Sequence, residues 1–175
     1  VRPLSNQRWT YAPQAGMHPL ATEVTRYWAS AANEADRFDA YGNSKIVQME
    51  KWIDPANAST GVHLTTTRST YTNDASTWRL GRLTRVQVDT ERPGHESTRV
   101  SAFEYASGTG LLVAEIVEPD VANDGQGNYY KLATRYAHDA FGNRIKSATC
   151  SADVTAADCL GLGPASIGSN PADGW

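Results

Sequence analysis

Alternation of apolar and polar residues runs through most of the chain and indicates β-strands. In YKLATRYAH (130–138) every second residue is aromatic, aliphatic or Thr, which is the two-residue period of a strand. Similar runs, several of them rich in β-branched residues, occupy 62–71, 82–90, 98–105 and 111–117. Windows with helical periodicity are scarce. The pattern therefore predicts an all-β fold.

One five-residue motif occurs twice without a gap, in FDAYGNSKI (38–46) and in HDAFGNRIK (138–146). Asp favours the first position of a turn because its carboxylate accepts hydrogen bonds from amides just ahead. Gly takes positive φ freely, and Asn tolerates it. The aromatic residue between them offers an apolar face to whatever lies beneath the turn. The motif predicts a hairpin corner with an aromatic anchor, formed by Asp39, Tyr41, Gly42 and Asn43 and again by Asp139, Phe141, Gly142 and Asn143.

Two looser versions of the corner lie between these copies. YTNDASTWRLGRL keeps Tyr71, Asp74 and Gly81, and FEYASGTGLL keeps Tyr105, Gly108 and Gly110 but has lost the Asp. From Gly42 the corner glycines follow at 81, 110 and 142, which gives spacings of 39, 29 and 32 residues.

A repeat of that length is typical of architectures in which each unit packs on its neighbours. Longer polar loops are predicted at 54–61, 91–97 and 118–128, between strands that do not meet at a corner. Corner, strand, loop and strand then follow one another as serial antiparallel β-hairpins. The predicted fold is a meander of such hairpins that forms a curved sheet.

Three segments are predicted. Residues 1–35 form a degenerate N-terminal hairpin, with Tyr11 and Gly16 near its corner, or an irregular segment in which SAANEAD is a helical turn or a loop. Residues 36–149 form the repeated hairpins. Residues 150–175 form a Cys-containing loop and an irregular tail, since no periodic pattern follows Cys159.

Composition and charge narrow the class of protein. The chain has 175 residues, 40% hydrophobic and 20% charged, as expected for a globular protein with one sizeable core. The net charge of −3 and the lack of any Lys or Arg block argue against nucleic acid as a partner. No apolar run approaches the roughly 18 residues of a membrane span, so membrane insertion is not expected. The chain begins without Met and reads as a piece of a longer protein.

The two cysteines, Cys150 and Cys159, lie in one stretch, CSADVTAADC. Two ligands at this spacing do not make a zinc site. A local disulfide is expected if the protein is exported, and a pair of free thiols if it stays in the cytosol.

At the corners the sequence resembles the YD repeat of RHS proteins, in which an aromatic, Asp, a second aromatic, Gly and Asn or Arg precede a strand. TYTNDASTWRLGRLTRVQV and TRYAHDAFGNRIKS are similar to segments of bacterial RHS and toxin-complex shell proteins. The resemblance covers about residues 36–149. Both good copies depart from the pattern before Asp, where Phe38 and His138 replace the usual Tyr.

The resemblance implies that the hairpins belong to a large hollow β-shell, of which this chain is a fragment. Such shells enclose an unfolded or toxic polypeptide in bacteria, and related shells in animal cell-surface proteins, the teneurin-like proteins, mediate adhesion. The expected partners are the remaining repeats of the same polypeptide and an enclosed cargo. The family's repeats carry no catalytic residues and no cofactor, so neither an enzyme nor a cofactor or metal site is expected. A fragment also exposes sheet edges and should self-associate through them.

Other candidate chemistry is weak. The histidines sit at unrelated spacings without a metal pair: His18, His63, His95 and His138. EPDVANDGQGN gathers Asp120, Asn123, Asp124 and Asn128, yet it lacks the alternating ligands and the terminal Glu of a calcium loop. Glu104 and Glu115 would make a carboxylate pair for glycoside hydrolysis only if the fold brought them together.

Two function classes remain. The first is a non-enzymatic, secreted or cell-surface structural module of a YD-repeat shell that encapsulates or presents a polypeptide. The alternative is a secreted β-rich adhesion or carbohydrate-binding domain that uses exposed aromatic residues, with Trp52 and Trp78 as candidates for glycan contact. Against that use, the aromatics also suit cross-strand pairs that stabilise a sheet, each worth roughly 0.2–1 kcal/mol.

Overall fold

Antiparallel β-strands make up nearly all of the regular structure in the computed structural model, which describes residues 5–11, 19–26, 37–52, 62–120, 131–152 and 154–161. The strands are β1 (Ser5–Tyr11), β2 (Pro19–Arg26), β3 (Ile46–Trp52), β4 (Val62–Asp74), β5 (Arg79–Arg92), β6 (His95–Tyr105), β7 (Leu112–Val117), β8 (Leu132–His138) and β9 (Arg144–Ser151). One short helix, α1 (Ala156–Leu160), follows. The predicted all-β fold of serial antiparallel hairpins is confirmed.

The chain divides into two compact units, unit 1 (Val1–Arg99) and unit 2 (Val100–Trp175). The division falls inside β6 and differs from the three predicted segments. No helix in the part of the chain that the structure describes is long and apolar enough to cross a membrane.

In unit 1, β1 to β5 each pair antiparallel with the next strand along the chain. The register aligns Gln48 with Thr66 and Thr66 with Asp89, so these side chains share one face. That face is polar. Gln48 lies within hydrogen-bond distance of Thr66, and Arg26–Glu50 and Arg68–Asp89 form ion pairs. Thr66, which is only 4% exposed, lies in this polar row.

In unit 2, the last residues of β6 are followed by β7, β8 and β9, again in antiparallel pairs. Few apolar side chains of this unit are buried among the described residues, and two of them are alanines. They are Val100, Ala114, Ala133 and Leu160. Ala114 pairs with Glu104 on one side and with Arg135 on the other. Its methyl group leaves room above the sheet, and Arg135 reaches across to Glu104 at 3.7 Å.

Two predicted connections are shorter than expected. The loop predicted at 91–97 is a turn of two residues, since β5 continues to Arg92 and β6 begins at His95. Pro93 and Gly94, whose φ is 74°, are the central residues that a type II turn prefers, and this turn reverses the chain at once. The corner after β4 is confined to 75–78. Gly81, predicted to form that corner, instead lies inside β5.

The described parts of the two terminal segments contain strands and a helix. β1 and β2 pair as an antiparallel hairpin, while Gly16 and SAANEAD lie outside the described residues. The Cys-containing loop predicted from residue 150 is wrong as far as the structure describes it. Cys150 belongs to β9, which pairs with β8 as far as Ser151, and Cys159 belongs to α1. Thr155 caps that helix by accepting a hydrogen bond from the Asp158 amide.

Candidate functional site: the repeated corners

The two good copies of the motif, corner 1 (39–43) and corner 2 (139–143), have the same hydrogen bonds. In corner 1, Oδ1 of Asp39 accepts from the amides of Tyr41 (2.9 Å) and Asn43 (2.8 Å), and Oδ2 accepts from Nδ2 of Asn43 (2.8 Å). In corner 2, Asp139 accepts from Phe141 and Asn143 in the same way, at 2.9, 2.8 and 2.9 Å. The Asp carboxylate of each corner therefore holds its turn closed through hydrogen bonds.

The backbone of the two corners is also the same. In corner 1 the Asp39 amide donates to the Asn43 carbonyl at 2.9 Å, and the Gly42 amide donates to the Asp39 carbonyl at 3.0 Å. In corner 2 the equivalent distances are 2.9 and 3.1 Å. Gly42 and Gly142 have φ of 91° and 87°, a region that residues with a Cβ adopt only with strain. The glycine of the motif is required by this geometry.

These hydrogen bonds lower the pKa of both corner carboxylates. Partial burial acts to raise the pKa of Asp39, but hydrogen bonds from the side chains of Asn43 and Asn73 and from two amides outweigh it and lower that pKa from 3.8 to about 2. In corner 2 the hydrogen bond from the Asn143 side chain, with amide bonds beside it, lowers the pKa of Asp139. Both carboxylates are ionised acceptors at neutral pH.

Corner 1 is fastened to the β4–β5 hairpin by Asn73. Nδ2 of Asn73 donates to Oδ2 of Asp39 at 2.8 Å, and its Oδ1 accepts from the Gly81 amide at 2.6 Å. The Tyr71 hydroxyl donates to the Ser44 carbonyl at 3.1 Å. One Asn thus links the repeated corner to the strands beside it. Sequence reasoning missed Asn73, although it directly precedes Asp74 in the looser copy.

Gly81 has a different role from the one predicted. It sits two residues into β5, at an irregularity in the register between Thr72 and Asp74 of β4. Its φ is 68°, and a Cβ at this position would lie 3.1 Å from Oδ1 and 3.2 Å from Nδ2 of Asn43. Gly81 therefore forms the bulge against which corner 1 packs. The stretched spacing from Asp74 reflects this separation of turn and bulge.

Corner 2 lies beside the β6–β7 turn. A Cβ on Gly142 would lie 3.6 Å from Cδ1 of Leu111, which is ordinary van der Waals contact. That turn contains the other loose copy: Ala106 and Leu111 close it through a 2.9 Å backbone hydrogen bond, and the Gly110 amide donates to Ala106 at 2.7 Å. Gly110, with φ of 75°, is in the turn as expected, and Tyr105 ends β6.

Neither aromatic residue of the motif is buried in its own corner. Tyr41 is 45% exposed and Phe141 is 90% exposed. In unit 1 the space beside the corner is taken by Asn73 and Gly81, and the corners close through polar atoms rather than through a buried ring. A third aromatic residue, Trp78, ends the 75–78 turn, is 77% exposed and has φ of 57°.

Asp74 organises the turn that carries Trp78. Its carboxylate accepts from the hydroxyls of Ser76 and Thr77, both at 2.6 Å, and these bonds hold its pKa well below the usual range. Asp74 thus closes its turn with a carboxylate, as Asp39 and Asp139 do. The partners are hydroxyls instead of an Asn amide.

Among the residues that the structure describes, the candidate carboxylate pair does not form a reaction site. Glu104 and Glu115 lie on opposite faces of the sheet, because Glu104 pairs with Ala114, whereas Glu115, the next residue along β7, pairs with Phe103. Glu104 approaches Arg135, and Glu115 accepts from the Tyr136 hydroxyl at 3.0 Å. Burial and the Glu115 carboxylate raise the pKa of Tyr136. The acidic loop is described only as far as Asp120, and no metal-binding group of three or more His, Cys, Asp or Glu occurs among the described residues.

No protein-family model matches the chain, and no curated protein matches it either.

Proposed function

We propose that the chain is a non-enzymatic structural segment of a YD-repeat β-shell that encapsulates or presents another polypeptide. The observation that carries the proposal is the hydrogen-bond set shared by corners 1 and 2. Two segments 100 residues apart close around Asp, Gly and Asn in the same way. A turn motif that reverses the chain repeatedly serves to build an extended β-sheet from successive hairpins.

The chemistry of the corners supports a structural role. Each Asp carboxylate is occupied by amides of its own corner, and in corner 1 also by Asn73. A carboxylate that already accepts several hydrogen bonds and whose pKa is lowered is a poor proton acceptor for a substrate. Such a carboxylate is, however, well suited to hold a turn closed.

The sheet faces support contact with further polypeptide. Among the described residues, none of the large side chains is fully buried. On β7 and β8, Val117 and Leu132 are paired in register and are 48% and 49% exposed. Neighbouring repeats or an enclosed cargo would cover such apolar surface. The proposed location is secreted or cell-surface, which suits the Cys150–Cys159 disulfide.

The proposal is tested on the complete gene product. We expect the reading frame around this segment to encode further Asp-x-aromatic-Gly-Asn corners, spaced roughly 30 to 40 residues apart. In limited proteolysis of the purified product, the polypeptide next to those corners should resist trypsin until the shell is unfolded in urea. The same polypeptide expressed alone is the control and should be digested at once. Absence of further corners, together with equal digestion of both forms, would refute the shell.

The second candidate function is adhesion through glycan binding, and the exposure of Trp78 favours it. An exposed Trp held in a strained backbone conformation at a hairpin tip presents its ring to solvent. If this ring contacts a sugar, a glycan-array signal should disappear in Trp78→Ala and persist in Phe141→Ala, which removes an exposed ring from another turn. Equal signals from the two variants would remove this candidate.

A further inference from the structure

The C-terminal helix α1 is folded back onto the β8–β9 hairpin and is attached there by a disulfide. Cys150 of β9 is bonded to Cys159 of α1, nine residues further along the chain. Sγ of Cys150 lies 3.7 Å from the Ala133 carbonyl oxygen, and Sγ of Cys159 lies 3.7 Å from that of Ala148. Leu160 at the end of the helix is 3% exposed. The helix therefore covers part of one face of this hairpin.

The side chains under the helix are small. Ala133 pairs with Cys150, and Ala148 pairs with Arg135, so both alanines lie on the face that carries Cys150. Ala133 is completely buried. Small side chains let the helix approach the strands closely, and Leu160 adds its own buried surface. This contact surface is modest for holding a segment in place without a covalent link.

The helix is too short to persist without that attachment. It has five residues, whereas isolated helices shorter than about 12–15 residues are marginal in water. Its ends are capped locally. The Thr155 hydroxyl accepts from the Asp158 amide at 3.2 Å, and Gly161, with φ of 59°, closes the last turn. These caps fix the ends of a helix that already exists, but they do not hold it to the sheet.

We propose that the Cys150–Cys159 disulfide is a redox-controlled clasp, whose reduction by a dithiol releases α1 from β8 and β9. A thiolate of the dithiol attacks one sulfur of the bond and forms a mixed disulfide, and the other cysteine leaves as a thiolate. The remaining thiolate of the dithiol then attacks the dithiol's other sulfur, which is bonded to the protein in the mixed disulfide. The first cysteine leaves as a thiolate. The protein gains two electrons and two protons, and the dithiol leaves as its disulfide.

The released state differs from the closed one in a limited region. Reduction exposes Ala133, Ala148 and Leu160, and it moves Gly161 away from Lys146, whose Nζ lies 3.7 Å from the place that a Cβ on Gly161 would take. The β8–β9 pairing and corner 2 remain, because their hydrogen bonds do not involve the helix. The clasp is a local opening that a redox change controls. It rests on residues 131–161 alone and is independent of the shell proposal.

Hydrogen exchange measured by mass spectrometry on the intact chain tests the clasp. We expect amides of 156–161 to exchange at least about tenfold faster after treatment with dithiothreitol, and to return to the slow rate after reoxidation. Amides of 139–143 and 39–43 should exchange at the same rate in both states. A double variant, Cys150→Ser with Cys159→Ser, should match the reduced protein without any reagent.

Three results would overturn the clasp. The first is equal exchange of 156–161 in the oxidised and reduced proteins, which would mean that Leu160 packing alone holds the helix. The second is faster exchange throughout β8 and β9 on reduction, with loss of the far-ultraviolet β-sheet signal, which would make the disulfide a structural staple. The third is failure of reoxidation to restore the slow rate.

Discussion

Corners 1 and 2 share the Asp-x-aromatic-Gly-Asn sequence and the same closed loop, yet they differ in their surroundings. Corner 1 is joined to the β4–β5 hairpin by two hydrogen bonds of Asn73 and packs against Gly81. Corner 2 lies beside Leu111, and the carboxylate of its Asp139 accepts from Phe141 and Asn143 of its own loop. The comparison separates what the motif does by itself from what its neighbours add.

The five residues of the motif are sufficient to shape the loop, because Asp accepts from the amides and Gly supplies positive φ in both places. They do not decide how firmly the loop is fixed to the sheet. That depends on Asn73 and Gly81, which lie 30 or more residues further along the chain. Variants should therefore affect corner 1 more than corner 2.

The two corners should differ most in the unfolding free energy that is lost when a glycine is replaced. In Gly81→Ala the new Cβ would lie 3.1 Å from Oδ1 of Asn43, and the residue would keep φ of 68°. Backbone strain and the displaced Asn43 should together lower the free energy of unfolding by about 2–4 kcal/mol. Urea unfolding followed by tryptophan fluorescence measures it, since Trp52 and Trp78 lie in unit 1.

Gly142→Ala, at the motif glycine of corner 2, is the change to compare with it. It carries the strain of positive φ, but its Cβ would meet Leu111 at an ordinary contact distance of 3.6 Å. The cost should be about 1–2 kcal/mol, measured by urea unfolding followed by circular dichroism. Equal losses for the two variants would mean that Gly81 does not pack against corner 1 in solution.

Removal of the Asn73 side chain is expected to have the next largest effect. Asn73→Ala leaves the Gly81 amide without the acceptor that lies 2.6 Å away, and Asp39 loses a donor. The free energy of unfolding should fall by about 1–3 kcal/mol, because a half-buried polar group loses its partner. Asn143→Ala removes a solvent-exposed bond from corner 2 and should cost only about 0.5 kcal/mol. The reverse order would contradict the role of Asn73.

Local signals in the sequence explain which parts of the fold were predictable. The alternation in 62–71, 82–90, 98–105 and 111–117 identified β4 to β7, because strand period is a property of neighbouring residues. The turn chemistry of Asp and Gly identified corners 1 and 2 for the same reason. Their hydrogen bonds span at most four residues.

Features that depend on distant neighbours were not predictable. The Asn73–Asp39 bond joins residues 34 positions apart, and nothing local to either residue indicates it. The aromatic anchors were predicted from ring size, but exposure depends on what packs nearby, and Phe141 is 90% exposed. The irregular tail was predicted from weak periodicity. A helix as short as α1 has almost no periodicity to detect, and its stability comes from the disulfide and Leu160.

The pH dependence of stability should differ between the corners. Hydrogen bonds lower the pKa of Asp39 in the folded protein from 3.8 to about 2, so this carboxylate stabilises the fold above pH 4. That contribution is lost as the pH falls from about 4 to about 2, because the folded protein then also takes up the proton. After allowance for solvent screening it should amount to about 1 kcal/mol.

Asp39→Asn tests this by urea unfolding between pH 2 and 6. The variant should be less stable than the parent at pH 6, and the difference should shrink towards pH 2. Asp139→Asn should show a smaller change in the same direction, since its carboxylate lacks the bond that Asn73 gives to Asp39. A difference that stays constant from pH 6 to pH 2 would show that Asp39 acts through shape rather than charge.

The smallest effects are expected at the aromatic positions. Phe141→Ser removes a ring that is 90% exposed and should change the free energy of unfolding by less than about 0.5 kcal/mol, whereas Tyr41→Ser, at 45% exposure, should cost about 0.5–1 kcal/mol. In a longer protein whose neighbouring repeats cover corner 2, Phe141→Ser should instead cost about 1.5–3 kcal/mol. Thermal or urea unfolding of both lengths distinguishes the two cases. If Phe141→Ser lowers the free energy of unfolding only in the longer protein, the ring packs against a neighbouring repeat. If it lowers that free energy in neither protein, the ring has no structural role.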